Sequence, residues 1–439
     1  MNTSLQSFLR VAGTVATAAL LYVLRYRPDE TQSGTASAPG GINAPSVSAS
    51  EESQELTPSP ARPRRSSAPR RAATEDHLTA KTLLDALALM RPLIQRRPTV
   101  PILETVLLEP GQLTMTDLES RLTLHVPALT VSPLCVPAKQ LDKALRGITG
   151  RITLTADNGW LRIDSDGGQL SLTTFPAAEY PAPLRSPRAE PYGEPFVLPH
   201  RFADVLSAVS KDDSRTSLAG VCIDLAHGAV AASNGHVLHL VTGEQLTGEA
   251  RPLISVSAAK TLAQFAQQSV HGQVFRRTMT NGTDTTTEVT LYFTAPGVEL
   301  WTRALEAEFP DYQQVIPAPD SLTRTLVADR AALVTAVEQC LPLTTERARG
   351  ITIKGDTIGL VVSVTNPDIG SVAAPVPMSG ADGLTFGVNA DYLLAALRTQ
   401  EATVTIRCSE NDPKDGCVMR PLVLNGGPTK AVLMPMRVF

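Results

Sequence analysis

The sequence has few aromatic residues and no cysteine pattern that would support a disulfide framework. Only 4% of its 439 residues are Phe, Trp or Tyr, so a folded core must be built from Leu, Val, Ile and Ala. The five cysteines include no C-x-x-C pair, and their odd number argues against paired disulfides. We therefore expect buried thiols that pack as small apolar side chains in a reducing compartment.

Motifs for catalysis are also absent. The sequence contains no G-x-x-x-x-G-K-[ST] phosphate loop, no G-x-S-x-G nucleophile elbow and no H-E-x-x-H zinc motif. The seven histidines lack the spacing of metal ligands; His236 and His239 stand three apart in a predicted turn entering a strand. These absences favour a non-catalytic protein without a cofactor or metal. An enzyme on a repeated scaffold is the alternative, although no acid, base and nucleophile converge.

The first 74 residues differ in composition from the rest of the chain. They carry a net charge of +3, against −7 for the remainder. Residues 28–75 are rich in Pro, Ser, Ala and Gly, which predicts a disordered linker. Residues 1–27 contain an apolar run that is short for a membrane span unless it is counted over residues 5–24, with Arg10 at the interface. A membrane segment and an unstructured leader both stay open.

From residue 76 onward, one pattern recurs three times. Each copy has an apolar-periodic helix, alternating strands, a second helix and further strands. The second helices begin at Val136, Val256 and Val388, with offsets of 120 and 132 residues. Because a helix with one apolar stripe must pack on a sheet, we predict an α+β protein of three similar domains, each with two helices on antiparallel sheets. The first helices are predicted over 79–90, 199–209 and 328–341. The predicted domains are 76–190, 191–318 and 319–439.

The predicted helix over 136–147 has an apolar face and an opposite basic face. In a protein that is acidic overall, such a local basic surface can bind phosphates without reading bases. An ordinary solvated helix surface is the alternative. The candidates for DNA contact are Arg97, Lys139, Lys143, Arg146, Arg201, Arg215 and Lys260.

Eight ordered segments extend from about His77 to the last residue. They are RPTVPILETVLLE (97–109), TDLE (116–119), LSLTTFPAAEYP (170–181), SNGH (233–236), FPDYQQVIP (309–317), RARGITI (347–353), FGVNADYLLAAL (386–397) and VLMPMR (432–437). Together they resemble the bacterial DNA polymerase III beta subunit, the beta sliding clamp family. The resemblance implies the DNA clamp fold, in which a three-domain arm joins a second arm head to tail as a homodimer ring around duplex DNA. It further implies a cytoplasmic, nucleoid-associated processivity factor, whose partners are non-specific double-stranded DNA, the polymerase III catalytic subunit and a clamp loader complex.

The resemblance also implies a peptide-binding groove between the second and third domains. The apolar chain end VLMPMRVF would form one lip of this groove, which accounts for an ending that would otherwise fray. Methionine suits a site that accepts several peptides, because its flexible thioether side chain repacks easily. Carried over by motif, the groove residues are Leu218, Ser233, Gly235, His236, Leu238, Pro310, Val315, Val432, Met434, Pro435, Met436 and Arg437.

Three positions depart from the family pattern. Val237 and Gln314 stand where the family usually has basic residues, so we expect a different peptide preference. Pro342 lies beside Leu343 near the end of the third domain's interface helix, where it bears on the strength of ring closure. A clamp-like peptide-binding adaptor that does not close a stable ring is therefore the alternative function.

Overall fold

The structure, a computed structural model, describes residues 77–94, 100–184, 188–212, 214–281, 284–346 and 348–437. The chain divides into two units, residues 1–76 and 77–439, and every described residue belongs to the second. The predicted linker over 28–75 and the apolar segment over 5–24 lie outside the described residues.

The described residues of the first repeat form two α-helices and eight strands. Helix α1 (Ala80–Met90) begins at Thr79, whose side chain accepts a hydrogen bond from the first turn. Helix α2 (Ala138–Leu145) buries Leu141 and Leu145 and packs against α1. The strands are β1 (Thr105–Glu109), β2 (Gln112–Thr116), β3 (Ser120–His125), β4 (Leu134–Pro137), β5 (Ile152–Asp157), β6 (Trp160–Ser165), β7 (Gly168–Thr173) and β8 (Phe175–Pro176).

The second repeat corrects one predicted helix. The α-helix expected over 199–209 is instead a 3-10 helix, Phe202–Ala208, without a side-chain cap at Arg201. Helix α3 (Val256–Ala263) is capped by Ser255 and packs against the 3-10 helix Phe202–Ala208. The strands are β9 (Glu190–Val197), β10 (Gly220–Asp224), β11 (Ala229–Ser233), β12 (Val237–Thr242), β13 (Leu253–Ser255), β14 (His271–Asn281), β15 (Asp284–Ala295) and β16 (Val298–Arg303).

The third repeat resembles the first. Helix α4 (Arg330–Cys340) ends in the 3-10 turn Leu341–Leu343, which contains Pro342, just as α1 ends in a 3-10 turn that contains Pro92. Helix α5 (Ala390–Arg398) packs against α4. The strands are β17 (Arg324–Asp329), β18 (Gly350–Gly355), β19 (Gly359–Asn366), β20 (Gly370–Ser379), β21 (Thr385–Asn389), β22 (Thr403–Cys408), β23 (Leu422–Asn425) and β24 (Thr429–Leu433).

Antiparallel β-ladders join each repeat to the next. A nine-stranded sheet, ordered β8-β4-β1-β2-β3-β16-β15-β14-β9, joins the first and second repeats through β3 and β16. A twelve-stranded sheet, ordered β13-β10-β11-β12-β24-β23-β22-β17-β20-β19-β18-β21, joins the second and third repeats through β12 and β24. Strands β5, β6 and β7 form a separate sheet. The predicted α+β class with helices on antiparallel sheets is confirmed, and all five cysteines are buried and unpaired.

Candidate functional site

The SNGH turn is held in shape by its own side chains. Ser233 Oγ donates to the carbonyl of Val237 at 2.8 Å. Asn234 Oδ1 accepts from the backbone N–H groups of His236 and Val237 at 2.9 and 3.0 Å. Between them, Gly235 has φ of +87°, a left-handed conformation that a side chain would strain. The turn is therefore rigid and presents His236 to solvent.

The C-terminal segment is tied to both the second and the third repeat. Strand β24 pairs with β12, with Val432 opposite Leu238. Beyond the strand, Met434 donates its backbone N–H to the carbonyl of His236 at 2.9 Å, and Met436 donates to that of Gly387 at 2.7 Å. These bonds hold residues 434–436 against the second and third repeats.

A small apolar cluster lies beneath the SNGH turn, apart from the main core. It includes Leu238 and Val432, which are 3% exposed, together with Phe309, Tyr312 and the half-buried Leu218. Val315 and Met434, which lie within two residues of Ile316 and Val432 of this cluster, keep 50% and 42% of their surface exposed. Exposed apolar side chains beside a buried apolar cluster suit a binding surface.

Tyr392 belongs to this site and was missed by the sequence analysis. Its ring stacks on the ring of His236, with 5.8 Å between centroids and 14° between planes. Asn389 positions it by capping α5, since its Oδ1 accepts from the backbone N–H of Tyr392 at 3.1 Å. An aromatic residue in the first turn of the FGVNADYLLAAL helix was the available signal.

Arg215, which was predicted to contact DNA, lies beside the SNGH turn. Its Nη1 donates to the carbonyl of Asn234 at 3.4 Å, and its Nε pairs with Asp212 at 3.5 Å. The 3-10 turn Thr216–Leu218 follows Arg215, whose guanidinium lies close to Gly235. In the C-terminal segment, Arg437 pairs with Asp415 at 3.6 Å. Arg215 is thus next to the predicted groove residues, and its contact with DNA stays a prediction.

A concave, basic surface lies between α1 and α2. This basic groove has a volume of about 550 Å³. Its lining residues are Leu87, Arg91, Ile94, Ala138, Lys139, Asp142, Lys143 and Arg146. Four cations thus surround one carboxylate, an arrangement that attracts phosphate groups without base contacts.

Carboxylates offset part of the positive charge of the basic groove. Asp142 lies 2.7 Å from Arg146 and 3.2 Å from Arg91, and Lys139 lies 3.5 Å from Glu104. Burial alone would raise the pKa of Asp142, but hydrogen bonds and charge from Arg146 and Arg91 lower it overall. Lys143 is exposed and has no carboxylate partner within the described residues.

The other predicted DNA contacts lie elsewhere. Lys260 is exposed on α3. The side chain of Arg201 is 39% exposed; its Nε pairs with Asp204 at 2.7 Å and its Nη2 donates to the carbonyl of Thr399 at 2.8 Å. Arg201 thereby connects the second and third repeats, and its contact with DNA stays a prediction. Arg97 lies outside the described residues.

Neither metal ligands nor spanning helices occur in the described part of the chain. Within it, no group of three or more His, Cys, Asp or Glu side chains could hold a metal ion. No described helix is both long and apolar enough to cross a bilayer. His239 is buried, which lowers its pKa, and its Nδ1 contacts Ser207 Oγ and the carbonyl of Asp204, both at 3.1 Å.

The chain from the first repeat onward matches bacterial beta sliding clamps, although no protein-family model matches it. The clamp of Pseudomonas putida is 25% identical over 381 residues, which is 82% of this chain and 98% of the relative. The clamp of Pseudomonas aeruginosa is 26% identical over 380 residues, with the same coverage. A crystal structure of the Bartonella birtlesii sliding clamp bound to griselimycin gives a TM-score of 0.68 at 23% identity, over 82% of this chain and 98% of that chain. The predicted resemblance and the clamp fold are confirmed.

Proposed function

We propose that this chain, a relative of the beta sliding clamps in sequence and fold, is a DNA sliding clamp: a non-catalytic processivity factor that encircles duplex DNA and tethers DNA polymerase III. The observation that carries the proposal is the similarity to beta sliding clamps in sequence and fold, and it is supported by the apolar cluster that lies with the SNGH turn and the C-terminal segment along the β12–β24 ladder. Partner proteins would enter the groove with short apolar peptides, while DNA would pass the basic helices.

The proposed ring is a homodimer whose protomers join head to tail. Such a heterologous interface uses one surface from each end of the chain. In the first repeat, β7 pairs only with β6 and leaves its other edge open among the described strands. In the third repeat, Leu343 and the 65% exposed Ile369 lie near one another, since Asn366 Nδ2 donates to the carbonyl of Leu343 at 3.2 Å. We expect these two ends to meet.

The three predicted domains, 76–190, 191–318 and 319–439, are the rigid units we propose for each protomer. A clamp loader that hydrolyses ATP would open the ring, which agrees with the lack of a phosphate loop in this chain. A sliding clamp acts on chromosomal DNA, so the proposed location is the cytoplasm, at the nucleoid. Whether residues 5–24 attach the ring to a membrane is a separate question, answered by cell fractionation with and without residues 1–27.

Encirclement is tested by comparing DNA topologies. After loading, we expect the protein to stay on circular DNA and to leave linear DNA rapidly through the ends. Equal retention on both would contradict a ring. Mass from light scattering gives the second arm of the test: a dimer supports the clamp, whereas a monomer at micromolar concentration supports the peptide-binding adaptor without a stable ring.

The groove is tested with griselimycin, which is bound to the Bartonella birtlesii clamp. We expect wild-type protein to bind it, and a chain that lacks residues 434–439 to lose this binding while keeping its fold. Deletion removes Met434 and Met436 and their two backbone hydrogen bonds but leaves β24 intact. Circular dichroism provides the folding control. Unchanged affinity in the shortened chain would rule out this assignment of the groove.

A further inference from the structure

The segment that carries Pro310 and Val315 is attached to the protein by apolar packing of Phe309 and Tyr312 and by few hydrogen bonds. It belongs to a connector, residues 304–323, that joins β16 to β17 and contains only two short 3-10 turns. Long irregular connections in compact domains are usually functional. Within the described residues, 306–317 make one hydrogen bond to a residue outside the connector: the Tyr312 phenol donates to Asp224 Oδ2 at 3.0 Å.

Asp224, at the end of β10, gathers several donors around a carboxylate with no exposed surface. Its Oδ1 accepts from the backbone N–H of His227 at 3.1 Å. Its Oδ2 meets His227 Nδ1 at 2.9 Å and Arg251 Nε at 3.0 Å, in addition to Tyr312. A buried carboxylate is costly unless a cation and hydrogen bonds compensate for lost water. Arg251 and the hydrogen bonds supply this compensation at Asp224, so its carboxylate has a fixed position to which Tyr312 can bond.

The ring of Tyr312 is held in place by burial and by its neighbours Phe309 and Arg251. Tyr312 is 2% exposed, and its ring centroid lies 6.1 Å from that of Phe309 and 6.0 Å from the guanidinium carbon of Arg251. Burial and the charge of Asp224 raise the pKa of Tyr312 well above its usual range, so the phenol remains a donor. Tyr312 opens the 3-10 turn that ends at Val315.

We propose that Asp224 is a positioning residue for partner-peptide binding: through Tyr312 it fixes the Pro310 and Val315 side of the groove against the floor formed by Leu238 and Val432. The inference rests on the proposed function, because it concerns the same groove. Asp224 itself is buried and touches no peptide. By holding Tyr312, Asp224 restricts the connector before a peptide binds. Less conformational entropy is then lost on binding, and such preorganisation increases affinity.

The test uses the full-length protein and griselimycin as the probe, with affinity measured by calorimetry. Tyr312→Phe removes only the hydroxyl group, and we expect it to weaken binding by about fivefold. Asp224→Asn also leaves Arg251 without its carboxylate, and we expect a loss of about tenfold or more. The matched control is Tyr180→Phe, which removes a buried hydroxyl that donates to the carbonyl of Thr114 at 3.1 Å in the first repeat.

Three measurements separate positioning from general stability: griselimycin affinity, affinity for short linear duplex DNA, and melting temperature. We expect both tyrosine variants to lower the melting temperature to a similar extent, but only Tyr312→Phe to weaken griselimycin binding, with DNA affinity unchanged. Wild-type affinity in Tyr312→Phe, or an equal loss in Tyr180→Phe, would overturn this inference alone. Wild-type protein that fails to bind griselimycin would overturn the proposed groove and this inference together.

Discussion

Neutralising Lys143 should measurably weaken the electrostatic attraction of the protein for duplex DNA. Lys143 projects from the basic groove without a carboxylate partner in the described part of the chain, whereas Arg146 shares Asp142 with Arg91. Each phosphate that a protein neutralises contributes about 0.9 to the slope of log affinity against log salt concentration. Lys143→Gln should therefore reduce the slope by about 0.9, whereas Arg146→Gln should reduce it by less because Asp142 already offsets part of that charge.

The assay is fluorescence anisotropy of a short linear duplex, titrated with protein at salt concentrations from about 50 to 200 mM. Over this range one phosphate contact accounts for roughly a 3.5-fold change in affinity. A linear duplex is used because it reports electrostatic attraction without encirclement. Asp142→Asn should change the DNA affinity in the opposite direction, because removal of the carboxylate should raise the affinity and steepen the salt slope.

The control for Lys143→Gln is Arg162→Gln, because Arg162 lies on β6 outside the basic groove and pairs with Asp157 at 3.2 Å. Its replacement should leave the slope unchanged. Equal slopes for wild-type protein and Lys143→Gln would refute the basic groove as the DNA surface. If Arg162→Gln reduced the slope equally, the effect of Lys143→Gln would reflect only the change in net charge.

Three further results are expected. Arg201→Ala should lower the free energy of unfolding by about 1–2 kcal/mol in denaturant titrations, by breaking the bonds to Asp204 and Thr399. Gly235→Ala should cost about 1 kcal/mol of stability, because φ is +87°, and should weaken griselimycin binding; unchanged binding would contradict a role for the turn. The lowered pKa of Asp142 stabilises the fold above the ordinary carboxyl pKa, so the stability difference between wild type and Asp142→Asn should begin to shrink as the pH falls below about 4 and vanish only below the lowered pKa of the folded state.

Much of the fold followed from local periodicity. Apolar residues every three or four positions predicted α1, α2, α4 and α5, because a helix must bury one stripe whatever it packs against. The segment over 199–209 has the same periodicity but forms a 3-10 helix, whose buried residues Phe202, Val205 and Ala208 are spaced three apart as three residues per turn require. Periodicity thus located the element but did not distinguish an α-helix from a 3-10 helix.

The basic residues show where sequence reasoning stops. A helical period placed Lys139, Lys143 and Arg146 on one face, and the structure puts all three in the basic groove. Arg201 and Arg215 were assigned from charge alone, and each donates to a backbone carbonyl farther along the chain, that of Thr399 and that of Asn234. A charge in the sequence carries no record of the distant carbonyl to which its side chain donates.

The sequence by itself determined the repeated helix and strand pattern, the apolar chain end and the basic helix face, because each is written in residues near one another. Only the tertiary structure decided that Tyr392 stacks on His236 and that Tyr312 bonds to Asp224. These pairs join residues 156 and 88 positions apart, and such contacts arise from the β12–β24 ladder and the packing of the connector rather than from local preference. The proposed groove depends on the meeting of those distant segments.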